Sequence, residues 1–193
     1  MQGMKTKTRL LPAKQKHRFD RKIGPNPWLL AAKIFDETPR YVGSDGDFSK
    51  TRLLAVVRHN RLVHQFLGIS AYSHTINYRT LVRGIGQIEI DEVYVGIDRH
   101  GRQFVVPVQA KGGNDKLSAV QARQDIVCCG EKFPGLICRS ISARFMADDL
   151  IALFELTLEA GAIKVVDETH YRLVPADQIS PEELQFYGQR KVR

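Results

Sequence analysis

Apolar positions recur along this chain at two periods, and the switches between them mark its elements. From Ser49 to Leu67, Leu53, Leu54, Val57, Leu62 and Phe66 fall at helical spacing and Gly68 follows, which predicts one long amphipathic helix. Before it, Asn26-Pro27 reads as a cap and a first-turn proline, so a short helix is expected from Trp28 to about Glu37, stopping ahead of Pro39. The polar run Gly43 to Asp47 reads as a loop. The period then changes to two. Strands are expected at Thr75 to Arg83, Gln87 to Ile97 and Gln103 to Lys111, with Asp98-Arg-His-Gly101 as the turn of a hairpin between the last two. Val105, Val106 and Val108 favour a strand, while Pro107 lacks a donor and points to an edge or bulge.

Gly112-Gly-Asn-Asp115 is a bend that can cap a helix from Asp115 to Cys128, whose one side carries Leu117, Val120, Gln121, Gln124, Val127 and Cys128. Leu136 to Arg144 alternates as a strand. Asp148 to Ala160 reads as a helix with Leu150, Leu153, Phe154 and Leu158 inward and Gly161 closing it. Ile163 to Val166 and His170 to Val174 read as a closing hairpin, and Pro181 opens a short terminal helix. Helices on either side of a central mixed β-sheet make an α/β sandwich.

Length and composition fit that picture. With 193 residues and 43% hydrophobic content the chain can bury one good core. It divides into a basic arm over 1–24, a helical segment over 25–69 and an α/β core over 70–193. No apolar run approaches the roughly 18 residues of a membrane span and no secretory core opens the chain, so a soluble, cytoplasmic protein without a membrane partner is expected. Cys128, Cys129 and Cys138 match neither a disulfide framework nor a zinc site and read as small core residues.

The candidate chemistry lies on the hairpin. Residues two apart on a strand share a face, so Glu89 and Asp91 pair on one strand and Gln109 and Lys111 on the next, and the turn brings the pairs side by side. This pattern, Ile88-Glu-Ile-Asp91, turn, Val106-Pro-Val-Gln-Ala-Lys111, resembles the PD-(D/E)xK nuclease superfamily, which has the restriction-endonuclease-like fold. The resemblance spans roughly residues 70–175. It implies an α/β sandwich of that type and a divalent-metal-dependent endonuclease that hydrolyses DNA phosphodiester bonds, of the kind found in restriction or genome defence. By that resemblance Asp91 is the bridging metal ligand, Gln109 stands at the second-acid position, Lys111 is the catalytic lysine, and Glu89 is a further candidate ligand. Glu92, Gln121 and Gln124 are candidates to support the site. Gln109 departs from the pattern by offering an amide oxygen where most relatives offer a carboxylate, although Gln-x-Lys variants occur in active members, including a transposon-end-cutting nuclease.

The residue types suit that chemistry. Mg²⁺ or Mn²⁺ takes hard oxygen ligands, commonly one or two carboxylates with phosphate and water. Lys111 supplies a compact charge for a phosphoryl oxygen or the attacking water. In the competing reading, Glu89, Asp91 and Glu92 line a solvated strand face and Lys111 merely ends a strand.

Charge placement adds a partner. Residues 1–22 hold Lys5, Lys7, Arg9, Lys14, Lys16, Arg18, Arg21 and Lys22 against Asp20 alone, a net +7 of the chain's +8. Such an arm suits a polyanion, so DNA is the expected partner, with Arg52 and Arg58 on the long helix as further phosphate contacts. The plainer alternative for the arm is a solubilising tail. No Gly-rich loop with Lys-Ser/Thr is present, so no nucleotide cofactor is expected. Cutting both strands of a duplex calls for two sites, which favours a homodimer or a partner subunit. A catalytically inactive nucleic-acid-binding subunit of a larger nuclease or transposase-like assembly is the alternative function.

Overall fold

The computed structural model describes residues 24–42, 48–112 and 115–188. Its centre is an 8-stranded mixed sheet. Strands β2 (Ser70–Val82), β3 (Gly86–Ile97) and β4 (Gln103–Lys111) form an antiparallel meander. The β3–β4 turn is the one the sequence predicts. Asp98 accepts the backbone N–H groups of His100 and Arg102 at 2.9 and 3.0 Å, and Gly101 has φ +78°, a conformation that favours glycine.

The chain then crosses through helix α3 (Ala119–Lys132), capped by the Ser118 hydroxyl, which accepts from Gln121 N–H. After the two-residue β5 (Ile137–Cys138) it returns as β6 (Ser140–Ala147), parallel to β4. Strands β7 (Leu150–Glu159) and β8 (Ala162–Val174) continue antiparallel, and β1 (Ala32–Phe35) adds in parallel at the far edge. The order across the sheet is β1-β8-β7-β6-β4-β3-β2, with β5 beside β4.

Alternation on β4 assigns the layers. Phe104, Val106, Val108 and Ala110 pack with Leu53, Leu54, Val57, Leu62 and Val63 from helices α1 (Lys50–His59) and α2 (Leu62–Leu67). Val105 on the other face packs with Cys128 and Cys129 of α3. Helices therefore cover both faces of a mixed sheet. The segment 25–69 shares this core, through β1 on the sheet edge and α1 and α2 on one face. The last helix, α4, spans Pro181–Gly188.

Five expectations change. The single helix Ser49 to Leu67 is broken at Asn60 and Arg61, the latter at φ +50°. The buried Asn60 amide donates to Thr38 Oγ1 (2.7 Å) and Val56 O (3.0 Å) and accepts from Glu37 N–H (2.8 Å), bonds that offset the left-handed residue beside it. The helix expected from Trp28 is one turn followed by β1. Asn26 does cap, accepting Trp28 N–H at 3.1 Å, but Trp28 and Leu30 lie exposed at 89% and 92%, so a helix here would bury no apolar face, while β8 offers a free ladder.

The helix expected over Asp148 to Ala160 is β7, whose Ile151 to Leu156 are all buried between β6 and β8. A continuous apolar run carries no period that separates a core strand from a buried helix. The closing hairpin is the single strand β8. Between Glu155–Asp167 and Leu156–Val165 the register shifts, so Val166 bulges, and Asp167 to Thr169, where the turn was expected, continue the ladder with β7. The helix expected from Asp115 begins at Ala119.

Glu92 shows how α1 is tied down. Fully buried, its carboxylate takes Arg58 Nε at 2.8 Å and Nη2 at 2.9 Å, a bidentate pair between sheet and helix. Glu92→Ala should lower the unfolding free energy in urea by about 2–3 kcal/mol, under the cost at a wholly enclosed pair, because Arg58 can turn to water. A loss below about 0.5 kcal/mol would mean the pair does not anchor α1.

Candidate active site

The β3–β4 ladder stops at Glu92–Val108, while on its opposite edge β4 pairs with β6 from Val108 to Lys111. Asp91, the next residue of β3, sits at this fork and is 1% exposed. Its Oδ2 accepts Ala110 N–H at 2.9 Å, a side chain standing in for a missing ladder partner. Its Oδ1 is paired with the Lys50 ammonium at the start of α1. Gly112 makes that approach possible, since a Cβ there would lie 2.7 Å from Phe48 O and 3.2 Å from Lys50 N.

Gln109 is 2% exposed and stands inside a relay of amides. Lys111 Nζ donates to Gln121 Oε1 at 2.5 Å, Gln121 Nε2 donates to Gln109 Oε1 at 2.8 Å, and Gln109 Nε2 donates to Glu89 O at 3.1 Å. An ammonium can only donate, so Lys111 fixes the orientation of Gln121, and Gln121 that of Gln109. The Gln109 oxygen keeps a second lone pair for another partner.

Asp125 completes the cluster. It lies one turn beyond Gln121 on α3 and is 1% exposed, and its Oδ2 is enclosed with no hydrogen-bond partner. Burial pushes its carboxyl up to about 7, with the Asp91 charge adding to the rise and the Gln109 amide and the Lys111 ammonium opposing it. Two buried carboxylates thus lie near each other. Asp91 is neutralised by Lys50, while Asp125 favours a proton.

The structure brings Asp91, Gln109, Lys111 and Gln121 together. Glu89 gives the cluster only its backbone carbonyl, and its exposed carboxylate pairs with Arg79 on β2 at 3.0 Å. Glu92 is held by Arg58 and supports α1 rather than the site. Gln124 is half-buried and forms no hydrogen bond with the cluster. The solvated-face reading therefore holds for Glu89 and fails for Asp91 and Glu92. As phosphate contacts, Arg58 is committed to Glu92, and Arg52, its side chain 12% exposed, lies 5.0 Å over the Phe145 ring and 3.8 Å from Asp148. Lys5, Lys7, Arg9, Lys14, Lys16, Arg18, Arg21 and Lys22 fall outside the described residues.

The sequence reading passed over Lys50 and Asp125. Asp125 carried a signal, an acid on the helical stripe between Gln121 and Cys128, whereas Lys50 precedes the first apolar position of its helix and carried none. Among the described residues no trio of His, Cys, Asp and Glu side chains converges. The oxygens on offer are two carboxylates and one amide carbonyl, and one of the carboxylate oxygens is enclosed without a partner, a set that fits a hard divalent cation completed by phosphate and water. Comparison with protein-family models, curated proteins and solved structures found no match.

Asp125 makes stability depend on pH. With its folded pKa above the usual aspartate value, the native state keeps a proton that the unfolded chain gives up above about pH 4, so in EDTA stability falls as pH rises from about 4 to 7 and levels off beyond. Asp125→Asn should remove that slope and be roughly 4 kcal/mol more stable than the parent near pH 8, with no advantage near pH 4. Parallel pH–stability curves for the two proteins would show that Asp125 does not hold the proton.

Proposed function

We propose that this chain is a divalent-metal-dependent endonuclease that hydrolyses DNA phosphodiester bonds, with a restriction-endonuclease-like core, serving in restriction or genome defence. The observation that carries the reading is the fork between β3 and β4, where Asp91, Gln109 and Lys111 converge with Gln121 and Asp125. The order of three antiparallel strands, a crossover helix and a parallel strand is compatible with that core.

Asp91, Gln109 Oε1 and Asp125 are the residues that would hold Mg²⁺ or Mn²⁺. Such an ion supplies a Lewis acid for the phosphoryl oxygen and acidifies bound water. The protein's own part is positioning. Gln121 occupies one donor of Lys111 and aims the ammonium, leaving its other protons for a phosphoryl oxygen or the attacking water. Gln109, oriented through the same relay, presents a neutral ligand beside two acids.

The alternative is a nucleic-acid-binding subunit of a larger nuclease or transposase-like assembly without its own activity. The Lys50 ammonium on Asp91 favours it, because that pair already neutralises the main candidate ligand. A copy or partner acting on the second strand fits either reading. No helix among the described residues is long and apolar enough to cross a membrane. A cytoplasmic setting goes with the proposed substrate.

Incubating the protein with supercoiled plasmid and Mg²⁺ or Mn²⁺ should give nicked or linear product that EDTA abolishes. Asp91→Ala and Lys111→Ala should each cut at least about 10²-fold more slowly with folding preserved. Gln109→Ala should lose most of the activity, whereas Gln109→Glu should keep it or shift the metal preference. Full activity in Asp91→Ala or Lys111→Ala would remove the site assignment, and binding without cleavage in the parent would favour the inactive subunit.

A separate measurement addresses the arm. Deleting residues 1–22 removes +7 of the formal +8. If the arm contacts phosphates, the deletion should weaken DNA binding without sequence bias and flatten log affinity against log salt by about 0.9 per lost contact. Identical slopes for the full-length and shortened chains would assign DNA binding to the remaining residues.

A further inference from the structure

We propose that Arg144 is a phosphate-backbone contact which, with Lys111, forms a two-cation subsite beside the candidate centre. The inference rests on the phosphodiester reading and assigns a residue which that reading leaves unused. Strands β4 and β6 run parallel, in a register that sets Gln109 beside Ser142 and Lys111 beside Arg144. Residues paired this way project to the same face of the sheet. On the next strand Phe154 lies beside Ser142 and Ala152 beside Arg144, and both pack with Leu117 and with Ala122 of α3. Arg144 therefore faces the layer that delivers Gln121 and Asp125, with Lys111 on one flank and the short side chain of Ala152 on the other.

The chemistry of Arg144 is incomplete as it stands. Arg58, Arg139 and Arg172 each face a carboxylate, at 2.8, 2.6 and 2.6 Å. Arg144 is half-buried, its Nε is enclosed without an acceptor, and it makes no ion pair among the described residues. A guanidinium stays charged at any physiological pH, and an enclosed N–H without an acceptor is a standing cost to the fold. An arriving phosphate offers the missing acceptors, and the planar fork of arginine suits two of its oxygens at once. The position agrees as well, since Lys111 and Arg144 lie toward the carboxyl ends of parallel strands, where open α/β sheets receive ligands.

The test compares the parent with Arg144→Met and Arg144→Lys, using a short fluorescein-labelled duplex in EDTA, anisotropy across a salt series, and thermal melting. Arg144→Met should bind about tenfold more weakly or worse, its slope of log affinity against log salt should be shallower by about 0.9, and its Tm should be unchanged or higher. Arg144→Lys should keep the slope and lose part of the affinity. Parent-like affinity and slope in Arg144→Met, or a lowered Tm with the slope retained, would overturn the assignment and leave the endonuclease reading standing. A parent that neither binds DNA nor cuts it would bring down both.

Discussion

The structure turns on the Asp91 carboxylate at the point where two strands part. A buried charge survives only if hydrogen-bonded and compensated, and Asp91 obtains the bond from Ala110 N–H and the compensation from Lys50. Those two partners fix more than one side chain. The first marks where β3 lets go of β4, while the opposite edge of β4 pairs with β6 from Val108 to Lys111. The second sets the start of α1, which the glycine at 112 admits by leaving room for the Phe48 and Lys50 backbone.

The same economy explains Gln109. A third carboxylate beside Asp91 and Asp125 would add like charge to a space that has only Lys50 and Lys111 to answer it. It would also meet the Glu89 carbonyl as acceptor against acceptor, where the amide now donates at 3.1 Å. The glutamine therefore suits the metal-free protein better than the acid would. Its price falls on affinity for a cation, which gains a dipole and not a charge.

Elements whose apolar spacing had one period were legible from sequence. The hairpin from Gly86–Ile97 to Gln103–Lys111 and its Asp98 turn lie close to where alternation places them, and Leu53, Leu54, Val57 and Leu62 are buried as their helical spacing predicts, joined by Val56, Val63 and Leu67, even though the helix is broken between them. The break at Asn60 and Arg61 was not legible, because its cause is a set of bonds to residues 37 and 38, remote in sequence. Residues 150–159 misled for a different reason, since a core strand flanked on both sides has no polar face to report its period. In the candidate site, Asp91, Gln109, Lys111 and Gln121 were legible from strand parity and a helical stripe. Lys50 was not, because it arrives from another layer, and the outward role of Glu89 follows from Arg79 across the ladder.

Two acid–base pairs on consecutive residues of β3 show which part of the cluster can change. Glu92 is gripped by two nitrogens of a planar guanidinium, Nε and Nη2, a bidentate geometry that resists exchange. Asp91 is met by an ammonium on a flexible stem whose side chain is 47% exposed, and water is the alternative partner for that ammonium. Removing Arg58 from Glu92 would leave a fully enclosed carboxylate bare. Removing Lys50 from Asp91 returns a lysine to solvent and frees one oxygen, while Ala110 N–H keeps the other in place. A divalent cation entering the cluster therefore has one partly solvated charge to displace and one proton on Asp125 to release, with the strand fork unchanged behind it.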